Sequence, residues 1–133
     1  MPQAKPFKIE KPKSFRYQDD TAAYLKKLLA QKPRPTVLGV LREQGHWYDL
    51  NIEGKRCTLV QTSTKEVLAT GVIASVEIHR FKDIPPSFFL KLPGTNLTPD
   101  ERFQLMRKRS KSKKKFTPDI GMACVTVLLD PVK

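Results

Sequence analysis

Acidic side chains are scarce in this sequence: 13 Asp and Glu stand against 25 Lys and Arg, and the formal net charge is +12. Cysteine is scarcer, with only Cys57 and Cys124, and no CxxC pair occurs. His46 and His79 are isolated. A disulfide scaffold or a structural zinc site needs several such residues at close spacing. Two packed, reduced thiols in a cytoplasmic protein are therefore expected, with no metal and no cofactor. No apolar run reaches the ~20 residues that span a bilayer, so no membrane segment is expected. The first 18 residues lack both the apolar stretch of a secretory signal and the amphipathic period of a transit peptide. G-x-S-x-G, Walker A and H-E-x-x-H are all missing. The glycine-lysine pair in "EGKRCT" lacks P-loop spacing and reads as a turn.

What is present is positive charge, and it is segregated. The stretch "RKRSKSKKKF" opens at Arg107, and residues 107–115 alone carry +7. Residues 1–16 carry +4, while residues 17–106 carry only +2. A nearly neutral body with two basic segments favours a polyanion partner, through phosphate contacts and counterion release. An anionic membrane fits less well, because neither segment has an apolar helical face.

Residues 1–16 mix three prolines with alternating lysines and read as a flexible basic arm. A single domain follows over 17–133, with a basic loop at 107–115. "DDTAAYLKKLLAQK" predicts a helix capped by Asp19 or Asp20, with Ala22, Leu25, Leu28 and Leu29 as its apolar stripe. "KPRP" ends it. Strands are expected in "TVLGVLRE", "GHWYDLNI", "EGKRCTLVQT" and "VLATGVIASVEIHRF", with a bulge at Thr70-Gly71 where the apolar parity switches. "KDIPPSFFLKLPGTN" reads as a loop. Its Phe88 and Phe89 either plug a barrel end or mark a protein partner's site. "TPDERFQLMRKRS" predicts a second helix, with Thr98 as N-cap, Pro99 in the first turn, and Phe103 and Met106 toward the core. "IGMACVTVLLD" is apolar on both parities, as in a strand buried on both sides. These elements make an α+β, barrel-like domain of five to six mostly antiparallel strands and two helices.

Lys32 and Arg34 flank a proline-stiffened turn. Arg42, His46, Trp47 and Tyr48 cluster around the next one. Cations beside flat rings suit single-stranded nucleic acid, the cations holding phosphates and the rings stacking on bases. Trp47 is equally well read as a core anchor. Glu77 and His79 share a strand face and could exchange protons, although such pairs are more often a solvated surface.

The helix leading into "KPRPTVLGVLREQGHWYDL", the run "KRCTLVQTSTKEVLATGVIASVEIHRFKDIP", and "LTPDERFQLM" followed by an apolar strand together resemble the ASCH domain family, over about residues 20–130. That resemblance implies a small PUA-like β-barrel with a cleft that accepts RNA or a nucleoside. It also implies, for related amidohydrolases, a lysine, a threonine and a glutamate in that cleft. Lys32 and Thr36 stand in the first two places. The glutamate is absent before the late helix, and Gly39 stands where many members carry an arginine.

The expectation is thus a monomeric, cytoplasmic, RNA-binding PUA-like domain. Its nucleic-acid contacts are Lys32, Arg34, Thr36, Arg42, Trp47, Tyr48, Arg107, Lys108, Arg109, Lys111, Lys113, Lys114 and Lys115. Two alternatives remain. One is an enzyme, a nuclease or amidohydrolase acting on RNA or a modified nucleoside, for which Lys32, Thr36, Glu77 and His79 are the catalytic candidates. The other is a protein-interaction module for an acidic partner.

Overall fold

Burial alternates along Lys13–Tyr17, with Phe15 and Tyr17 inward and Ser14 and Arg16 outward, the period-two pattern of a strand covered on one face. This is β1. The computed structural model describes residues 13–44, 52–93, 97–110 and 114–131. Residues 13–16, expected in the arm, thus belong to the sheet, because Phe15 has a core to enter; residues 1–12 lie outside the described residues.

Helix α1 (Asp19–Leu29) follows, with Ala22 and Leu25 buried and Leu28 and Leu29 packed against the same core. Its cap differs from expectation. Gln18 holds the N-cap position without a side-chain bond. The Asp19 carboxylate accepts instead from Gln61 Nε2 at 2.9 Å and from Ser63 Oγ. Those bonds dock the helix on the turn after β3 and hold the Asp19 carboxyl below its ordinary pKa.

Four further strands complete the sheet: β2 (Val37–Glu43), β3 (Arg56–Gln61), β4 (Val67–Arg80) and β5 (Gly121–Leu129). Their order is β1-β3-β4-β5-β2. The β1–β3 pair is parallel and the other three are antiparallel. The sheet curls into a half-barrel, the expected α+β barrel-like class. The strand expected in "GHWYDLNI" falls almost wholly outside the described residues.

Strand β5 is covered on both faces from Met122 to Val125, as its sequence predicts, while Leu128 near its end is exposed. Ala123, Val125 and Val127 enter a first core with α1, Leu38, Val40, Leu59 and Ile73. Met122 and Cys124 enter a second with Leu41, Phe81, Phe88, Leu92 and Phe116. Both cysteines are free and buried, and burial pushes their thiols up, Cys57 to about 11 and Cys124 to about 12.

Irregularities in β4 flank the expected Thr70-Gly71 position: against β3 the pairing passes from Leu59↔Ala69 to Val60↔Val67, so Leu68 is extra, and a second shift faces β5. Pairing of β4 with β5 runs in register through Ile73↔Val127 and resumes at Ser75↔Thr126, so Ala74 is the extra residue. Ala69, Gly71 and Ile73 are buried before it and Val76 after it. The Glu53 carboxylate steadies the bulge by accepting from the Val76 amide at 2.9 Å. Gly71 has a different reason to be glycine. A Cβ there would stand 2.4 Å from Leu128 O and 2.8 Å from Val127 Cγ1.

The proline-rich segment after β4 is more ordered than a loop. It forms a 3₁₀ turn (Phe81–Asp83) and a four-residue helix, α2 (Pro86–Phe89), so the described residues hold three α-helices where two were expected. Proline fits the first helical position because its missing N–H is not needed there. Phe81 meets Phe89 at 6.0 Å and Phe103 at 4.9 Å between ring centroids. Helix α3 (Pro99–Arg109) starts as its sequence predicts, with Thr98 and Glu101 in a reciprocal capping box.

At one barrel end Asp130 gathers three elements. Its carboxylate pairs with Arg56 and accepts from Thr70 Oγ1, and its carbonyl accepts from Arg34 Nη1 at 3.2 Å. Arg56 and Thr70 hold the Asp130 carboxyl below its ordinary 3.8.

Two outcomes are expected. Gly71→Val should cost about 2–3 kcal/mol in urea unfolding, since backbone must move to admit the side chain. Because the Asp130 pKa is depressed by folding, its stabilisation is present above pH ~4 and lost as pH falls through the lower folded value. Asp130→Asn should therefore lower the unfolding midpoint at pH 7 and flatten its decline below pH 4.

Candidate functional site

The two edge strands, β1 and β2, are joined by one side chain. Arg42 Nη2 donates to Arg16 O at 2.8 Å, and Nη1 donates to Leu41 O at 2.8 Å. The same guanidinium lies 4.8 Å from the centroid of the Tyr17 ring. Charge-assisted bonds and a cation over an aromatic face thus hold a seam that strand pairing leaves open among the described residues.

A cleft of about 250 Å³ opens at this seam. The ends of β1 and β2 and the start of α1 make one side, and α3 with Leu92 and Pro93 makes the other. Its floor is apolar, with Val40, Leu41, Leu105, Met106 and Phe116. Arg16, Arg42, Arg102 and Arg109 line it, against one lining carboxylate, Glu43.

The architecture of the cleft begins at Gly39. Its amide donates to Lys91 O at 2.8 Å, and a Cβ would stand 3.0 Å from Lys91 Cβ. The connection after α2 therefore lies directly on β2, which brings Pro93 O within 2.8 Å of Arg102 Nη2. Arg102 is only 8% exposed. Burial pushes its pKa down, and the neighbouring Tyr24 acts the other way.

The far end of α3 is fastened across the cleft. Arg109 donates to Thr21 Oγ1 at 2.8 Å and pairs with Asp20. Ser110 Oγ donates to Glu43 Oε1 at 3.0 Å. The basic block therefore leaves from the cleft's rim. Arg107, Lys108, Lys114 and Lys115 are exposed, and Phe116 anchors the far end of the block in the second core.

Of the residues expected at the site, Arg42 and Arg109 are brought together here. Lys32 and Thr36 are exposed, and Arg34 is engaged by Asp130; none of them lines the cleft. Thr36 and Arg42 are separated by about 20 Å of extended chain. Glu77 Oε2 and His79 Nε2 are 3.1 Å apart on the expected shared face, again away from the cleft. Phe88 is buried and Phe89 half-buried in the second core. Trp47, Tyr48, Lys111 and Lys113 lie outside the described residues. Arg16 and Arg102 are the cleft residues that sequence reasoning missed. A signal for Arg102 exists: residues 102, 105, 106 and 109 follow the i, i+3, i+4, i+7 spacing of one helical face, and all four line the cleft.

A curled five-stranded sheet, helices on both faces and an arginine-lined cleft define a barrel-like α+β domain. No model of a known protein family and no curated protein matches the chain. A solved structure does: the crystal structure of protein EF3133 from Enterococcus faecalis V583, a DUF984 protein, superposes with a TM-score of 0.65 at 16% identity. The match covers 92% of this chain and 82% of that one. At that identity the likeness shows a shared fold.

Arg42→Ala should lower stability by about 1–3 kcal/mol in urea unfolding, by removing the seam bonds and the ring contact. Arg42→Lys should recover less than half of the loss, since an ammonium cannot reproduce the planar fork.

Proposed function

We propose that the protein is an RNA-binding domain of the ASCH, PUA-like kind. It holds a single-stranded element at the arginine-lined cleft and grips flanking phosphates with residues 107–115. One observation carries this reading: Arg109 both lines the cleft and belongs to the basic block. A ligand in the cleft would thus lie beside the densest positive charge of the chain. Single strands suit the site because an unpaired base can leave its stack and enter an apolar cleft, whereas a duplex exposes only its edges. The contacts of the block supply affinity with little sequence choice. Binding stands ahead of catalysis because Glu77 and His79 sit outside the cleft, and its carboxylate, Glu43, already accepts from Ser110.

The test is affinity for a single-stranded RNA against salt. The log of affinity should fall with log salt by about 0.7 per phosphate contact. Replacing Arg107, Lys108, Lys114 and Lys115 with glutamine should flatten the slope by up to about 3. Salt-insensitive binding, or an interaction with an acidic protein that survives nuclease, would overturn the reading.

A further inference from the structure

We infer that the cleft reads one uncharged, amino-bearing base such as adenine through Gln18 and Glu43, while the phosphates stay outside it on Arg16 and the basic block. This rests on the RNA reading and adds a choice of base to it.

Charge decides what enters. Among the described residues four guanidiniums line the cleft, and three already donate to the protein. Arg42 donates to Leu41 O and Arg16 O, Arg102 to Pro93 O, and Arg109 to Thr21 and Asp20. A phosphate inside the cleft would have to displace such bonds. A base is neutral, and its flat face suits the apolar floor of Val40, Leu105 and Met106. The volume of about 250 Å³ lies just below the usual ~300–1,000 Å³ of small-molecule pockets, which leaves room for one base rather than several.

Two lining side chains are left to meet the edge of that base. Gln18 holds the N-cap of α1, a position that favours Ser, Thr, Asp or Asn, and makes no capping bond there. Its amide has no hydrogen bond among the described residues. Glu43 gives Oε1 to Ser110 and has Oε2 left among the described residues. Together they offer two acceptors, Gln18 Oε1 and Glu43 Oε2, and one donor group, Gln18 Nε2. An amino group on a base carries two N–H donors, and adenine sets a ring-nitrogen acceptor beside it. Uracil carries one N–H between two carbonyls, so one of the protein's acceptors would face an oxygen. Glutamine pairs with adenine, and glutamate with the cytosine amino group, by the same chemistry in the major groove of DNA.

The backbone places the phosphate. Gln18 is extended, with φ −73° and ψ 162°, and so continues β1 and shares a face with Arg16 two residues earlier. Both side chains are exposed, and both residues line the cleft. The Arg16 guanidinium, unlike the other three, bonds no described residue and is open to a phosphate next to the base.

The experiment measures binding of short oligouridine strands to the full chain. One central residue is uridine, adenosine or purine riboside, which is adenosine without its amino group. Free adenosine and adenosine monophosphate serve as competitors. The adenosine strand should bind about tenfold more tightly than the all-uridine strand, the scale of one charge-assisted bond. Purine riboside should lose most of that gain, and adenosine should compete as well as its monophosphate. Gln18→Ala and Glu43→Gln should each bring the adenosine-to-uridine ratio near one. The second variant keeps an acceptor for Ser110 but turns N–H toward the ligand. Purine riboside tests the same contact with the protein unaltered, so misfolding of a variant cannot imitate the result. Arg16→Gln should lower the salt slope by about 0.7, one phosphate contact. Adenosine and uridine strands that bind equally to the unaltered protein overturn the base subsite while leaving RNA binding intact. A preference that survives both Gln18→Ala and Glu43→Gln overturns it too. Displacement by the monophosphate but not by adenosine would put the phosphate inside the cleft, against the inference. If no strand binds at any salt, both readings fail.

Discussion

From Met122 to Val125 strand β5 has no wet face, and the rest of the fold answers to that. With Val125 and Val127 on one side and Met122 and Cys124 on the other, it must be covered twice. Helix α1 and the curl of the sheet supply one cover. The aromatic group of Phe81, Phe88, Phe103 and Phe116, carried by the segments around α2 and α3, supplies the other. Burial of this apolar area is the main favourable term in folding. The strand also fixes the neighbours that flank it, β4 and β2, and the backbone of β5 passes so close to Gly71 that no side chain fits between.

Double coverage explains where the cleft forms. The second layer is a chain of short pieces rather than one long helix, and its backbone comes into direct contact with that of β2 at Gly39. Beyond that contact the half-barrel is unpaired between β1 and β2 among the described residues, and the end of α3 reaches over this opening to Glu43 and Thr21. The apolar floor is the rim of the second core, and the cationic walls come from β1, β2 and α3, with Arg102 buried among them.

Much of this was legible in the chain and some was not, for physical reasons. The α1 stripe, the Thr98 capping box and the two-sided β5 are local patterns, and local patterns survive folding. The bulge at Ala74 was misplaced because a glycine in a strand marks either a bulge or a close approach, and Gly71 is the second kind. Arg34 was expected at a ligand because its turn is basic; its Nη1 donates to the carbonyl of Asp130, 96 residues away, which no local pattern foretells. The cleft itself joins residues 16, 42, 102 and 109, which only tertiary structure brings together. Charge segregation, by contrast, could be read directly from the chain, although Arg107–Arg109, expected in a basic loop, complete the last turn of α3.

Arg42 belongs at once to the seam and to the cleft. Whatever it bonds in the cleft is thermodynamically linked to the closure of the barrel. A group that accepts from Arg42 while leaving its bond to Arg16 O in place favours the closed seam, and a closed seam favours that group by the same factor. A competitor that draws Arg42 away from β1 has the opposite sign. One guanidinium thus ties the edge of the sheet to the lining of the cleft, so a change at either is felt at the other.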